Sequence, residues 1–179
     1  MAKNILILSG SPRLGSNSDL LCNAFMKGAA EAGHQVEKIR IATKQIGYCR
    51  ACYYCKKHAG QCAVHDDMAA ILECMLQADV IVMASPVYFY SIDAQLKTLI
   101  DRTVVRWTEI HDKEFYYIAT AAEAEKEALE CTIECMRGLA ACLKGSVERG
   151  AILGGGYYEK GAIADSPMIE EAYQMGLSV

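Results

Sequence analysis

The chain has 179 residues, enough for one domain with a sizeable core and short of what two would need. Its net charge is −4 with both signs dispersed, which argues against a general nucleic-acid surface, and no apolar stretch reaches the length of a membrane span. Nine cysteines stand in a sequence that opens with Lys3 and then a strand rather than a signal peptide's apolar region, so a cytoplasmic setting is expected, and metal or redox roles outrank structural disulfides.

Residues 5–8 are an unbroken apolar run, short enough for a strand buried on both faces. It stops at Ser9-Gly10-Ser11-Pro12, and from Asn17 onward Leu20, Leu21, Ala24 and Phe25 recur at the spacing of one helix face. A strand, a hydroxyl-rich turn and a helix N-terminus in that order present free N–H groups and the positive end of a helix dipole, a setting for phosphate. Ser11, Ser16 and Ser18 offer hydroxyls, Asn17 an amide and Arg13 the turn's one positive charge. A phosphate-loop lysine is missing, the G-x-G-x-x-G pattern fails at Ser11-Pro12, and the next cysteine, Cys22, lies inside the helix. The turn therefore reads as one that binds a monophosphate without acting on it, the alternative being a plain turn with Ser and Asn as caps.

Farther along, Gly33 ends the helix, and Val36, Ile39 and Ile41 suggest a second strand over residues 34–42. Asp66 and Asp67 look like caps for a helix over residues 68–77, and residues 79–85 form another buried strand halted by Pro86. The aromatic loop Tyr88-Phe89-Tyr90 leads to a helix over 93–105. A strand over 114–120, a long helix over 123–143, a strand over 146–153 and a short helix over 169–175 complete the chain. Strands alternating with helices imply right-handed crossovers and a parallel sheet covered on both faces. The order 2-1-3-4-5 would set the first and third strands side by side at the switch point, where the turn at 11–18 meets the loop at 86–90.

The pattern Ser9-Gly-Ser-Pro-Arg-x-Gly-Ser-Asn-Ser18, with Ser85-Pro-Val-Tyr-Phe-Tyr90 and the trailing Leu96-Lys97…Asp101-Arg102, resembles the flavodoxin-like NADPH-dependent FMN reductases, and especially their iron–sulfur flavoprotein branch. The likeness extends over nearly the whole chain, to Glu171-Ala-Tyr-x-Met-Gly176. It implies a flavodoxin-like three-layer sandwich in a single domain spanning 1–179. It also implies FMN, with its phosphate on Ser11, Arg13, Ser16, Asn17 and Ser18 and its ring against Pro86, Val87, Tyr88, Phe89 and Tyr90. Thr120 and Ala121 would close a third side, although family members often carry a glycine there. The implied chemistry takes a hydride from NAD(P)H through FMN to a quinone, flavin, nitro or azo compound, or to another protein. No side chain of this chain is needed as acid, base or nucleophile. Arg102 and Arg106 are candidates for an NADPH phosphate, with acidic neighbours as the alternative partners. A homodimer or homotetramer is implied by analogy, with Trp107, Tyr116 and Tyr117 either contributing to a neighbour's pocket or belonging to the core.

Cys49-x2-Cys52-x2-Cys55-x6-Cys62 offers four thiolates in one short segment. Its compactness resembles the iron–sulfur flavoproteins, which implies a [4Fe–4S] cluster, an electron-relay role and ferredoxin as donor. Zn²⁺ with His58 or His65 as spare ligands, and a loop that holds nothing, remain open beside it. A flavin-binding regulatory module is a third functional class. Cys22, Cys74, Cys131, Cys135 and Cys142 sit in expected helices and read as small hydrophobes.

Overall fold

The computed structural model describes residues 1–179. Its strands are β1 (Asn4–Ser9), β2 (Gln35–Arg40), β3 (Val80–Pro86), β4 (Glu114–Thr120) and β5 (Val147–Gly154). They form one parallel sheet, as the alternation of strands and helices predicts, and its order β2-β1-β3-β4-β5 is the candidate flavodoxin order. Place in the sheet explains sequence: β1, β3 and β4 lie inside it and are buried almost throughout, whereas β2 and β5 are edges and carry charged residues. Side chains alternate between faces along each inner strand. Leu6, Leu8, Ile81, Met83, Phe115 and Tyr117 enter one core, and Ile5, Ile7, Val80, Val82, Tyr116 and Ile118 enter the other. Tyr116 and Tyr117 are thus core residues, while Trp107 stays exposed.

Helices cover both faces. α1 (Asn17–Glu31) packs on one, while a four-residue turn, α2 (Tyr54–Lys57), stands out in the cysteine segment. α3 (Met68–Gln77), α4 (Ala94–Arg102) and α5 (Lys126–Cys142) bury Met68, Ile71, Leu96, Leu99, Ile133 and Met136 on the opposite face. α6 (Pro167–Leu177) returns to lie against α1. No helix is long and apolar enough to cross a membrane.

Several boundaries differ from the expected ones for local reasons. The second strand ends at Arg40 because Ile41–Thr43 tightens into a 3-10 turn, and the fourth helix likewise ends at Arg102 before a 3-10 turn at Thr103–Val105. The long helix begins at Lys126, after Ala121 and Glu123 have bonded to Gly154, Gly156 and Tyr157 at the end of β5. The last helix begins earlier, at Pro167, whose fixed φ and missing N–H suit a first helical position. Of the helical cysteines only Cys22 is fully buried; Cys131, Cys135 and Cys142 face solvent, against the expectation of small buried hydrophobes.

α1 and α6 touch through two glycines. A methyl on Gly28 would lie 2.0 Å from the Tyr173 carbonyl oxygen, and one on Gly176 would lie 2.1 Å from that of Phe25. Gly138, in mid-α5, has open space around it. Gly28→Ala and Gly176→Ala should each destabilise by about 2 kcal/mol or more through overpacking. Gly138→Ala should instead stabilise by roughly 0.5–1 kcal/mol. Urea denaturation of the three variants checks the contrast, and equal effects at Gly28 and Gly138 would refute it.

Candidate functional site

All five strands are parallel, so the loops leaving β1, β3, β4 and β5 gather at one rim of the sheet. Backbone bonds join them in series: Gly10 donates to Ala84 O at 2.8 Å, Val87 to Thr120 O at 2.8 Å, and Ala121 to Gly154 O at 2.9 Å. The turn after β1 and the loop after β3 are therefore neighbours, as the switch-point reading requires.

In the turn after β1, Ser16 is the N-cap of α1 and its hydroxyl accepts the Asp19 N–H at 3.2 Å. Ser11, Ser16 and Ser18 are buried, Ser16 and Ser18 hydroxyls lie 3.3 Å apart, and Ser11 Oγ accepts the Arg13 N–H at 3.3 Å. The N–H groups of Asn17 and Ser18 donate to no acceptor in the protein. Two free N–H groups at the positive end of a 15-residue helix, flanked by hydroxyls, fit a phosphate monoester. Arg13 is exposed at the mouth of the turn. The Asn17 amide has a different job from the one its motif suggests. Its Nδ2 donates to Tyr157 O at 2.9 Å and Glu159 O at 3.0 Å, and its Oδ1 accepts the Ile163 N–H at 3.3 Å, so the side chain anchors the loop after β5 and only the backbone N–H is free.

After β3, Tyr88 and Ser91 exchange backbone bonds of 2.9 and 3.1 Å around Phe89 (φ 51°) and Tyr90 (φ 61°). This is a type I′ turn, which normally takes Asn-Gly because both central residues need positive φ. Phe89 is wholly exposed, Tyr90 largely so and Tyr88 less than half, and the Phe89 and Tyr90 N–H groups have no acceptor. Pro86 and Val87 are half-buried at the foot of the turn. Thr120 and Ala121 are buried, with the Ala121 N–H and the Thr120 carbonyl already committed, so this loop offers a wall but not those groups.

One residue of the rim escaped the sequence reading. Asp93, wholly buried, caps α4 through the Leu96 N–H at 2.8 Å and accepts the Ser85 hydroxyl at 2.9 Å. Burial pushes its carboxyl up from the usual range, against these two bonds. An Asp directly before Ala-Gln-Leu-Lys was the available signal, as an N-cap.

Residues 45–67 form a closed loop holding the four cysteines. Gln45 N donates to Asp67 Oδ2 at 2.7 Å, Asp67 N to Gln45 O at 3.1 Å, and Gly47 N to Asp66 Oδ2 at 2.8 Å. Asp66 caps α3 through the Met68 N–H, and Asp67 serves the loop instead of the helix. Arg102 secures the closure from the end of α4: it donates to Asp66 at 2.7 and 3.1 Å and to Gly47 O at 2.6 Å. Only 1% of Arg102 is exposed, so it cannot meet an NADPH phosphate; Arg106 is likewise held by Glu73 and Glu109.

Cys49, Cys52, Cys55 and Cys62 all line one cavity of about 230 Å³, with Ala51, Val64, Val104 and Val105 as apolar wall and Arg102 beside them. Their thiols are not drawn together, and no three metal-binding side chains stand close enough to share an ion. His58 stacks on Tyr54 at 3.6 Å. Four thiolates are the donor type an iron–sulfur cluster takes, but in this arrangement they line one cavity without converging, and Arg102 beside them is paired with Asp66.

Burial pushes the Asp66 carboxyl up, but Arg102 and the N–H groups of Gly47 and Met68 outweigh it and hold the group below its ordinary 3.8. A depressed carboxyl stabilises the fold above 3.8 and loses that contribution as pH falls further. Amide protection factors over 45–67, corrected for intrinsic exchange, should therefore fall below that pH before the sheet opens. Arg102→Met should remove the step and cost about 3 kcal/mol by stranding the Asp66 charge. Unchanged protection of this loop in the variant would refute the closure.

The fold and the rim define a class: a flavodoxin-like α/β protein with two unpaired helix N–H groups in the turn after β1 and an exposed aromatic turn after β3. A sequence model of the family described as NADPH-dependent FMN reductase matches residues 3–150, and the chain belongs to that family. The curated relatives it matches include iron–sulfur flavoproteins. An iron–sulfur flavoprotein of Methanocaldococcus jannaschii is 41% identical over 99 residues, covering 55% of this chain and 51% of that protein. The chain spans about half the length of the curated relatives it matches. Among solved structures, an NAD(P)H:quinone oxidoreductase from Methanothermobacter marburgensis superimposes with a TM-score of 0.78 at 18% identity, covering 99% of this chain and 96% of that one. An azoreductase from Bacillus anthracis gives 0.76 at 17%, covering 100% of both chains. At those identities the likeness establishes the fold.

Proposed function

We propose that this chain is an FMN-dependent NAD(P)H oxidoreductase that works as one flavin-binding domain. The observation that carries the reading is the pair of unpaired α1 N–H groups beside an exposed aromatic turn on the same rim. Ser11, Ser16 and Ser18 hydroxyls, the Asn17 and Ser18 N–H groups and the Arg13 charge hold the FMN phosphate. Pro86, Val87, Tyr88, Phe89 and Tyr90 wall the ring, and the free Phe89 and Tyr90 N–H groups serve its polar edge, where charge gathers on reduction. Thr120 and Ala121 form the opposite wall. Bound FMN supplies the hydride chemistry, taking a hydride from a nicotinamide and returning electrons to a small acceptor. Family membership and the names of its structural neighbours support this reading. The exposed aromatic turn suits completion by a second copy in a homodimer or homotetramer, and nine free thiols suit the reducing cytoplasm.

A second reading has its own support. Four cysteines line one cavity, and the curated relatives are named iron–sulfur flavoproteins. In this reading a [4Fe–4S] cluster on Cys49, Cys52, Cys55 and Cys62 relays single electrons to the flavin. Anaerobic stopped-flow mixing of the FMN-loaded protein with NADPH separates the two: rapid bleaching of the yellow colour is expected for the reductase, and none within minutes would refute it. Iron and acid-labile sulfide in anaerobically purified protein test the relay, and absence of both removes it.

A further inference from the structure

A buried carboxylate lies under the β1–α1 turn, and nothing in the proposed chemistry uses it. The Asp19 side chain is 4% exposed. Its Oδ2 accepts the Gly15 N–H at 3.3 Å, and its Oδ1 accepts the Ser9 hydroxyl at 3.3 Å and the Lys38 ammonium at 2.9 Å. Lys38 comes from the edge strand β2, where lysines usually point to water, yet its side chain is only 14% exposed. It donates to Asn23 Oδ1 as well.

Asp19 explains how the turn keeps its shape: it fixes the one residue there with positive φ, Gly15 at 66°, and ties it to the end of β1. It also creates a difficulty. A full negative charge within one turn of the free Asn17 and Ser18 N–H groups repels any anion that comes to them, and in a half-dry site that repulsion is weakly screened. Lys38 answers it by direct contact. The nearest other cation on the turn, Arg13, is exposed and makes no bond to Asp19.

We propose that Asp19 and Lys38 form a charge-balanced buttress that sets the turn's preference for a phosphate monoester: Asp19 positions the backbone, and Lys38 cancels the charge that Asp19 brings. The proposal rests on the phosphate reading of this turn. It makes Lys38, a residue of a different strand, a specificity determinant with no need to touch the ligand.

Binding of FMN and of riboflavin, which lacks the phosphate, tests it in wild type, Lys38→Met, Asp19→Asn and the double variant. Lys38→Met should weaken FMN at least about tenfold with riboflavin within about twofold, because an uncompensated carboxylate acts on the phosphate alone. The double variant should recover most of the lost FMN affinity, which a merely structural role would not allow. Asp19→Asn alone should bind FMN at least as tightly relative to riboflavin as wild type does, and this arm stands even where Lys38→Met does not fold. Equal weakening of both flavins by Lys38→Met, a double variant no better than the single one, or a selective FMN loss in Asp19→Asn would each overturn the buttress. A wild type with no preference for FMN over riboflavin would overturn the phosphate reading itself and the buttress with it.

Discussion

The rim depends on one close approach. The Asp93 carboxylate enters the space between the loops after β1 and β3, and a methyl group on Gly10 would stand 2.2 Å from its Oδ2. Only glycine leaves that space open. Asp93 then binds Ser85 on one side and the first turn of α4 on the other, so the carboxylate sets the spacing of both loops against a helix. Burying a carboxylate without a cation is unfavourable, which is why burial raises its protonation tendency. The hydrogen bonds from Leu96 N–H and Ser85 Oγ offset part of that cost and fix the geometry in return.

α4 extends the same constraint to the cysteine segment. Asp93 precedes its first residue and Arg102 is its last, so nine residues, about 14 Å of helix, connect the rim to the loop closure. Adjacent residues at its end meet opposite fates. Asp101 pairs with Lys97 on the surface at 2.6 Å, an interaction worth a few tenths of a kcal/mol. Arg102 turns inward and gathers Asp66 and the Gly47 carbonyl, a buried pair whose rupture is costly even if its net contribution is small. The Asp101-Arg102 step in the sequence therefore marks the boundary between solvent and the closure of the cysteine loop.

The architecture was legible because each inner strand is an apolar run with a turn signal after it, and the burial of β1, β3 and β4 is what such runs demand. The turn after β1 was legible for the same local reason: Ser, Gly, Asn and Pro each prescribe backbone geometry within a few residues. What escaped reading depends on partners far away in the chain. Asn17 looks like a donor to a ligand until Tyr157, Glu159 and Ile163 occupy its amide. Arg102 looks like a surface cation until Asp66 appears 36 residues upstream. Tyr116 and Tyr117 carry hydroxyls that suggest exposure, yet the middle of a parallel sheet has no exposed face, and the Tyr117 hydroxyl is left without a partner inside the core.

The aromatic turn brings these threads to a single place. Phe89 and Tyr90 both sit at positive φ, a conformation that costs of order 1–3 kcal/mol per residue where glycine is absent. Asn-Gly would have removed the strain, and polar side chains would have removed the exposed apolar area. The chain accepts both penalties at the same two residues, beside two helix N–H groups that have no acceptor. The cysteine loop shows the same departure at Ala51, Tyr53 and Ala59, and Asp112 is a further one, while α1 and α4 are capped and the core faces alternate. Strain of this kind concentrates in the two segments that carry the candidate chemistry, the rim and the cysteine loop, where local rules yield to function. A flat apolar ring with a phosphate at one end and hydrogen-bond acceptors at the other would cover the exposed aromatic area and pair the free N–H groups together, leaving the backbone strain as the cost of presenting them.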